Sequence, residues 1–419
     1  MKFSNFILLN LNYKADDLKK FLFFFVATFF GFILNFSLIY FANFFLNTIS
    51  FGTFYLSITF LNIAIFAFQP FSFIVIRKLS STNSVKSQNE LAKYFVNFVI
   101  SYSMAILSLS LIFLLLINIL FNFNAIYLYS FLILAALTYF SSEILRNILE
   151  AKKMLYQLSL YFFLLCFFKF IIAIFLIYYI RTAYSGVLGI WLSSLIIFVI
   201  FFFYFARKIN LKFLASFKIK YFELKETIYI ATFYFLIFLL FNLDIILCYF
   251  LYDQAILGMY SASAAIAKGV LVFFNPFMKI FIPFSIEKKN STDNIEKKKI
   301  LNIISLYFVI LFMIGIIFFV FGDFYLMSDY SFKDTDNHLF KLITISIFPL
   351  SIFRIMVMRD FSKFKENKIF YVILPIILYI IFVITNSLDI YAFAKSFVFL
   401  SFFVLIYYSI ISLFYKFKY

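Results

Sequence analysis

NLDIILCYFLYDQAILGMYSASAAIAKG, residues 242–269, holds two apolar runs hinged on Tyr252-Asp253-Gln254, with Asp244 in the first run and Lys268 in the second. A membrane span needs about 20 mostly apolar residues. Both runs reach that length when followed outward, to residues 227–251 and 258–284. In lipid the backbone must satisfy its own hydrogen bonds, and no period-2 alternation is present, so both read as helices crossing in opposite directions. Lys268 is ten residues from Gly258, about 15 Å deep at ~1.5 Å per residue. Asp244, about eight residues from the outer end of its own run, lies at similar depth.

The whole chain has this character. Of its 419 residues 65% are hydrophobic, 25% aromatic and only 13% charged, whereas soluble domains are about 25% charged. Runs between charged breaks give twelve expected spans: 21–45, 53–76, 94–121, 126–145, 158–180, 187–206, 227–251, 258–284, 300–322, 339–358, 369–388 and 394–414. The net charge of +17 would suggest nucleic acid in a soluble protein, but placement decides otherwise. One set of alternate loops holds 29 of the 36 Lys and Arg residues; the other holds Arg181, Lys333 and Lys341. The positive-inside rule then puts both termini in the cytoplasm, and no nucleic-acid partner is expected. Cys166 and Cys248 fall inside apolar runs, and His338 is the single histidine. Neither a disulfide framework nor a metal site is expected. No signal peptide is read at the N-terminus.

The chain repeats itself at an offset of 206 residues. FQPF at 68–71 returns in FFNPF at 273–277, Gly52 pairs with Gly258, and Lys93 with Lys299. Asn35 faces Asn242 after one residue of slippage, and the region of Arg146 is echoed near Arg354. The expected class is an all-α polytopic membrane protein, with twelve transmembrane helices in two parallel six-helix lobes. The expected domains are residues 1–206 and 227–419, joined by a basic cytoplasmic linker at 207–226. Two lobes related by an axis along the membrane normal suit alternating access.

The quoted stretch, with FFNPFMKIFIPFSIEKK after it, resembles the polysaccharide (O-antigen type) flippases of the multidrug/oligosaccharidyl-lipid/polysaccharide exporter superfamily. The resembling features are an Asp late in a span (Asp244), a short outer loop ending in Gly258–Ser261, and a small-residue helix closing at Pro283 and a basic loop. ISFGTFYLS and VIRKLSS echo them in the first half, with Arg77 after span two. The resemblance implies a flippase in a bacterial inner membrane, carrying an undecaprenyl-pyrophosphate-linked oligosaccharide to the outer leaflet for lipopolysaccharide or O-antigen assembly. Partners would be that lipid-linked oligosaccharide, the bilayer and other polysaccharide-assembly proteins. No cofactor is expected, and the coupling ion, proton or sodium, stays open.

Ionisable groups deep in a bilayer are costly and are functional candidates. Lys169 lies near the centre of span five, and with Lys268 it gives each half one deep cation, as a diphosphate requires. Lys279, eleven residues beyond Lys268, would share its face. The substrate-binding candidates are therefore Lys169, Lys268, Lys279 and Asp244. Asp244 and Lys268 could equally neutralise each other. Gln69-Pro70 and Asn275-Pro276 break equivalent helices and are candidate hinges or cavity walls. Arg146 and Arg354 are candidates for the cytoplasmic mouth, and Lys395 reads as an interfacial anchor. Asn35 and Asn242 are expected to hydrogen-bond between helices. The chain is not expected to be an enzyme. The competing readings are a drug/cation antiporter of the same superfamily, which would want more carboxylates in its spans, and a membrane polysaccharide polymerase.

Overall fold

The computed structural model describes residues 15–80, 82, 84, 86–98, 126–152, 154–209, 224–272, 337–362, 370–386 and 388–418. These residues are helical almost throughout, and no strand occurs among them. In chain order the helices are α1 (Ala15–Phe45), α2 (Thr48–Ser80), α3 (86–98), α4 (Ile126–Ala151), α5 (Leu155–Ile180) and α6 (Ala183–Ile209). They continue with α7 (Leu224–Leu251), α8 (Gln254–Val272), α9 (Asn337–Ser362), α10 (Ile373–Asn386) and α11 (Ile390–Lys418).

Seven of the described helices, α1, α4, α5, α6, α7, α9 and α11, are long and apolar enough to cross a membrane. α10 with its lead-in, Phe370–Asn386, is a shorter apolar helix. The protein is an all-α polytopic membrane protein. The expected spans at 94–121 and 300–322, and the far end of 258–284, lie largely outside the described residues.

The helix starts follow from local chemistry. The first N–H groups of a helix lack partners, and an Asn, Asp or Ser just before it can accept from them. Asn47 Oδ1 accepts from Ser50 N at 2.7 Å ahead of α2, and Asp253 Oδ1 accepts from Ile256 N at 2.9 Å ahead of α8. Asp389 does the same for Ala392 N at 2.6 Å ahead of α11, and Ser84 for Ser87 N at 3.1 Å ahead of α3. Asn47 and Asp253 stand 206 positions apart, the repeat offset. The duplicated halves thus turn between their first two helices with the same capping geometry at the same place.

The chain divides into two compact units. One contains Lys14–Leu46 and Thr53–Phe235; the other contains Asn47–Gly52 and Leu236–Tyr419. In the first, α1 packs along α5, and α6 packs against both α4 and α5. Its core is large and aromatic, with Phe95, Phe140, Tyr161, Phe201 and Phe205 around Ile144, Leu145 and Ile148. The α5–α6 contact is backbone-close: a Cβ on Gly189 would collide with the backbone of Ala173. In the second unit α9 packs on α8 and α11, and α10 lies against α11. There the backbones of Gly52 and Gly258 meet, so that a Cβ on Gly52 would stand 2.9 Å from Gly258 Cα. Only glycine lets two helix starts approach so closely.

Opposite these packed faces, α5 exposes Leu160, Phe167, Ile171 and Phe175, and α11 exposes Phe399, Phe403, Ile406 and Ile410. Apolar stripes on that scale call for a lipid solvent. α2 runs as one helix through Gln69 and Pro70. Asn275 and Pro276 lie outside the described residues. α9 carries an interior proline, Pro349.

Candidate functional site

The deep charges of the second unit are gathered on α7 and α8. A two-residue turn, Tyr252-Asp253, makes these helices antiparallel neighbours, so residues equally far from the turn share a depth. Asp244 is fully buried. Lys268 Nζ donates to Asp244 Oδ1 at 2.6 Å and to the Phe241 carbonyl at 2.9 Å. Its side chain is only 11% exposed, and the Phe397 ring of α11 lies 5.9 Å from the ammonium. Tyr260 donates its hydroxyl to Asp244 Oδ2 at 3.0 Å. Both carboxylate oxygens are thus engaged, and the ammonium has two oxygen acceptors and an aromatic face. This is a closed, neutral site.

Side-chain direction explains the reach. Helical Cα–Cβ bonds tilt toward the helix N-terminus, so Lys268 leans back along α8 toward the level of Asp244. Phe241 also links this site to α9, because its ring lies 5.9 Å from the Arg354 guanidinium.

Lys169 sits differently. It lies midway along α5, half-buried, and donates to Asn35 Oδ1 of α1 at 3.0 Å. Asn35 Nδ2 in turn donates to Cys166 Sγ at 3.0 Å and to the Gly31 carbonyl at 3.2 Å. Asn35 is Lys169's only hydrogen-bond partner among the described residues, and it carries no charge. The expected inter-helix role of Asn35 holds. Asn242 instead bonds within its own helix, to the Phe238 carbonyl at 3.1 Å.

Arg146, expected at the cytoplasmic mouth, is 8% exposed. It makes an ion pair with Glu143 one turn earlier, donates to Asn147 Oδ1 at 3.1 Å, and lies 5.5 Å from the Phe162 ring. A Tyr161–Ser142 hydrogen bond of 2.9 Å closes the neighbourhood. Arg146 is therefore held inside the first unit by residues of α4 and α5. The signal was in the sequence, since residues three apart on a helix face each other. Arg354 is half-buried on α9. Lys279 lies outside the described residues. No group of His, Cys, Asp and Glu suited to a metal ion occurs among the described residues. Beyond the spans, burial pushes the Tyr252 phenol up to about 12, and its hydroxyl donates to the Leu388 carbonyl at 2.7 Å.

Sequence missed Tyr260 and the Phe241 carbonyl as members of the Asp244–Lys268 site. Tyr260 could have been found, being about as far beyond the turn as Asp244 is before it.

The sequence matches no protein-family model, and no curated protein matches it. Solved structures do match. The fold superposes on a eukaryotic MATE transporter, AtDTX14, with TM-score 0.67 and 11% identity, over 94% of this chain and 96% of that one. It superposes on a mutant of the Vibrio cholerae MATE transporter VcmN with TM-score 0.66 and 11% identity, over 94% and 96%. The chain has the fold of the MOP-superfamily transporters. A third match, a MOP superfamily transporter from Pyrococcus furiosus described as having a binding pocket of reverse polarity, gives TM-score 0.59 at 12% identity over 94% of each chain.

Proposed function

We propose that this protein is a transporter working by alternating access, and that it carries an undecaprenyl-pyrophosphate-linked oligosaccharide from the cytoplasmic to the outer leaflet of a bacterial inner membrane. The observation that carries this reading is the state of Lys169: a cation midway along an apolar helix, hydrogen-bonded among the described residues only to the neutral amide of Asn35. A lone ammonium at such depth is expensive, and an anionic ligand would repay it with charge-assisted hydrogen bonds. The diphosphate of a carrier lipid is such an anion. In the second unit the corresponding cation, Lys268, becomes available to an anion once Asp244 lets go. Two features of the matching structures support the transport part. An outward-facing and an inward-facing structure of a multidrug-resistance MATE family transporter both match, with TM-scores of 0.63 and 0.61. The Pyrococcus furiosus protein, whose binding pocket has reverse polarity, is likewise a MOP superfamily transporter.

The test is Lys169→Ala in cells that assemble a surface polysaccharide. Surface polymer disappears while the protein remains at normal level in the membrane. Normal polymer with that variant overturns the reading.

A second reading, drug or cation antiport, is favoured by the multidrug transporters among the matches and by Asp244, a buried carboxylate that a cation could claim from Lys268. It predicts that Asp244→Asn abolishes drug resistance in a susceptible host and that Lys169→Ala leaves it intact.

A further inference from the structure

α11 packs far more extensively on α9 than on α10, and between α10 and α11 an open trough of about 680 Å³ remains. Leu378 forms one wall from α10; Ala392, Phe399 and Phe403 form the other from α11. Phe399 is 75% exposed and Leu378 52%, so the trough opens sideways on the apolar surface of the hairpin. Its polar groups are few. Ser396 Oγ donates to Tyr379 Oη at 3.2 Å within the trough. Lys395, exposed and without a partner among the described residues, stands near the end where α11 begins.

Length identifies the occupant. From Ala392 to Phe403 is eleven residues, about 16 Å at ~1.5 Å per residue. Half of a ~30 Å hydrocarbon core is about 15 Å, the reach of one acyl chain in one leaflet. The far end, at Pro375, Leu400 and Phe403, is wholly apolar, and the single cation lies at the end where a head group would be. A lysine stem lies along apolar surface with its ammonium turned toward water. The trough is thus the complement of a molecule with an anionic head and an apolar chain one leaflet long. We propose that the α10–α11 trough binds one anionic phospholipid, its acyl chain between Leu378 and Phe399 and its phosphate at Lys395. This site is independent of the transport reading.

The test uses the whole purified protein, exchanged into detergent with phosphatidylglycerol or phosphatidylcholine of identical chains, with retained lipid counted by native mass spectrometry. The expected result is one retained phosphatidylglycerol, favoured over phosphatidylcholine by about fivefold, the weight of one lysine at an anionic surface. Lys395→Ala abolishes the preference and keeps the chain. Leu378→Trp, at an exposed wall position, fills the trough and loses both lipids; unchanged thermal unfolding shows that it is folded. Equal retention of the two lipids by the natural protein overturns the proposal, as does phosphatidylglycerol retention unaffected by both substitutions. Displacement of phosphatidylglycerol by undecaprenyl phosphate at equal concentration also overturns it, giving the trough to a carrier lipid.

Discussion

Lys169 and Lys268 are the same residue well inside largely apolar helices, and their surroundings differ by one charge. Lys268 has Asp244 at 2.6 Å, with Tyr260 and the Phe241 carbonyl completing the site. Lys169 has the amide oxygen of Asn35 at 3.0 Å. The second unit has neutralised its deep lysine, and the first has only solvated it. A lysine in a span is therefore not by itself a binding site; the group opposite it decides whether its charge is available to a ligand.

The sharpest way to break this comparison is to remove one member of the closed pair. Lys268→Ala leaves the Asp244 carboxylate buried without a counter-charge, a change that costs about 3–5 kcal/mol for pairs of this kind. Thermal unfolding in detergent should show a large fall, and the membrane should hold less folded protein. Replacing both partners, Lys268→Met with Asp244→Asn, should restore most of the loss, because no charge is then stranded. If the single substitution unfolds like the natural protein, the pair does not hold α7 and α8 together and the two lysines are not different in kind.

The open site predicts the opposite sign. Lys169→Met takes a single charge out of the middle of α5, where insertion scales put its cost at ~2.5–3.5 kcal/mol. That figure is an upper bound, because a lysine can keep its amide partner and extend toward water. The variant should unfold at the same or a higher temperature and accumulate at least as well, yet deposit no surface polysaccharide. A fall in stability matching that of Lys268→Ala would show that Lys169 is paired as tightly as Lys268.

How much of this was legible depends on which coordinate a residue pattern encodes. Depth was legible. The sequence put Asp244 and Lys268 deep in two neighbouring spans, and the structure joins them, with Lys268 leaning back along α8 toward the turn. The repeat was legible too, and the caps at Asn47 and Asp253 fall on its offset. Rotation about the helix axis was not. α5 and α7 are apolar on nearly every side, so no polar face marks which way a residue points, and nothing in the order of residues aims Asn35 at Lys169 or the Phe241 carbonyl at Lys268. Arg146 shows the same limit from the other direction. Its level at the end of a span and its spacing to Glu143 were clear, but not that Asn147 and Phe162 would close around it.

The smallest expected change in stability comes from making the first site resemble the second. Asn35→Asp places a carboxylate where the amide oxygen now receives the Lys169 ammonium at 3.0 Å. The new charge must be desolvated, and its attraction to the lysine roughly offsets that cost, since a buried pair is often close to break-even against a neutral alternative. The Asn35 amide also gives up its bonds to Cys166 Sγ and the Gly31 carbonyl, each a minor loss of ~0.6 kcal/mol on the scale of inter-helix polar contacts. Thermal unfolding should therefore move by no more than about 1 kcal/mol in either direction. Function should not be spared. Lys169 is still present, still at the same depth and still charged, but its charge is now answered within the protein, and an anionic ligand would have to displace a carboxylate to reach it. Surface polysaccharide should fall nearly as far as with Lys169→Met. If Asn35→Asp folds normally and still supports surface polymer, the availability of the Lys169 charge is not what the transport step uses.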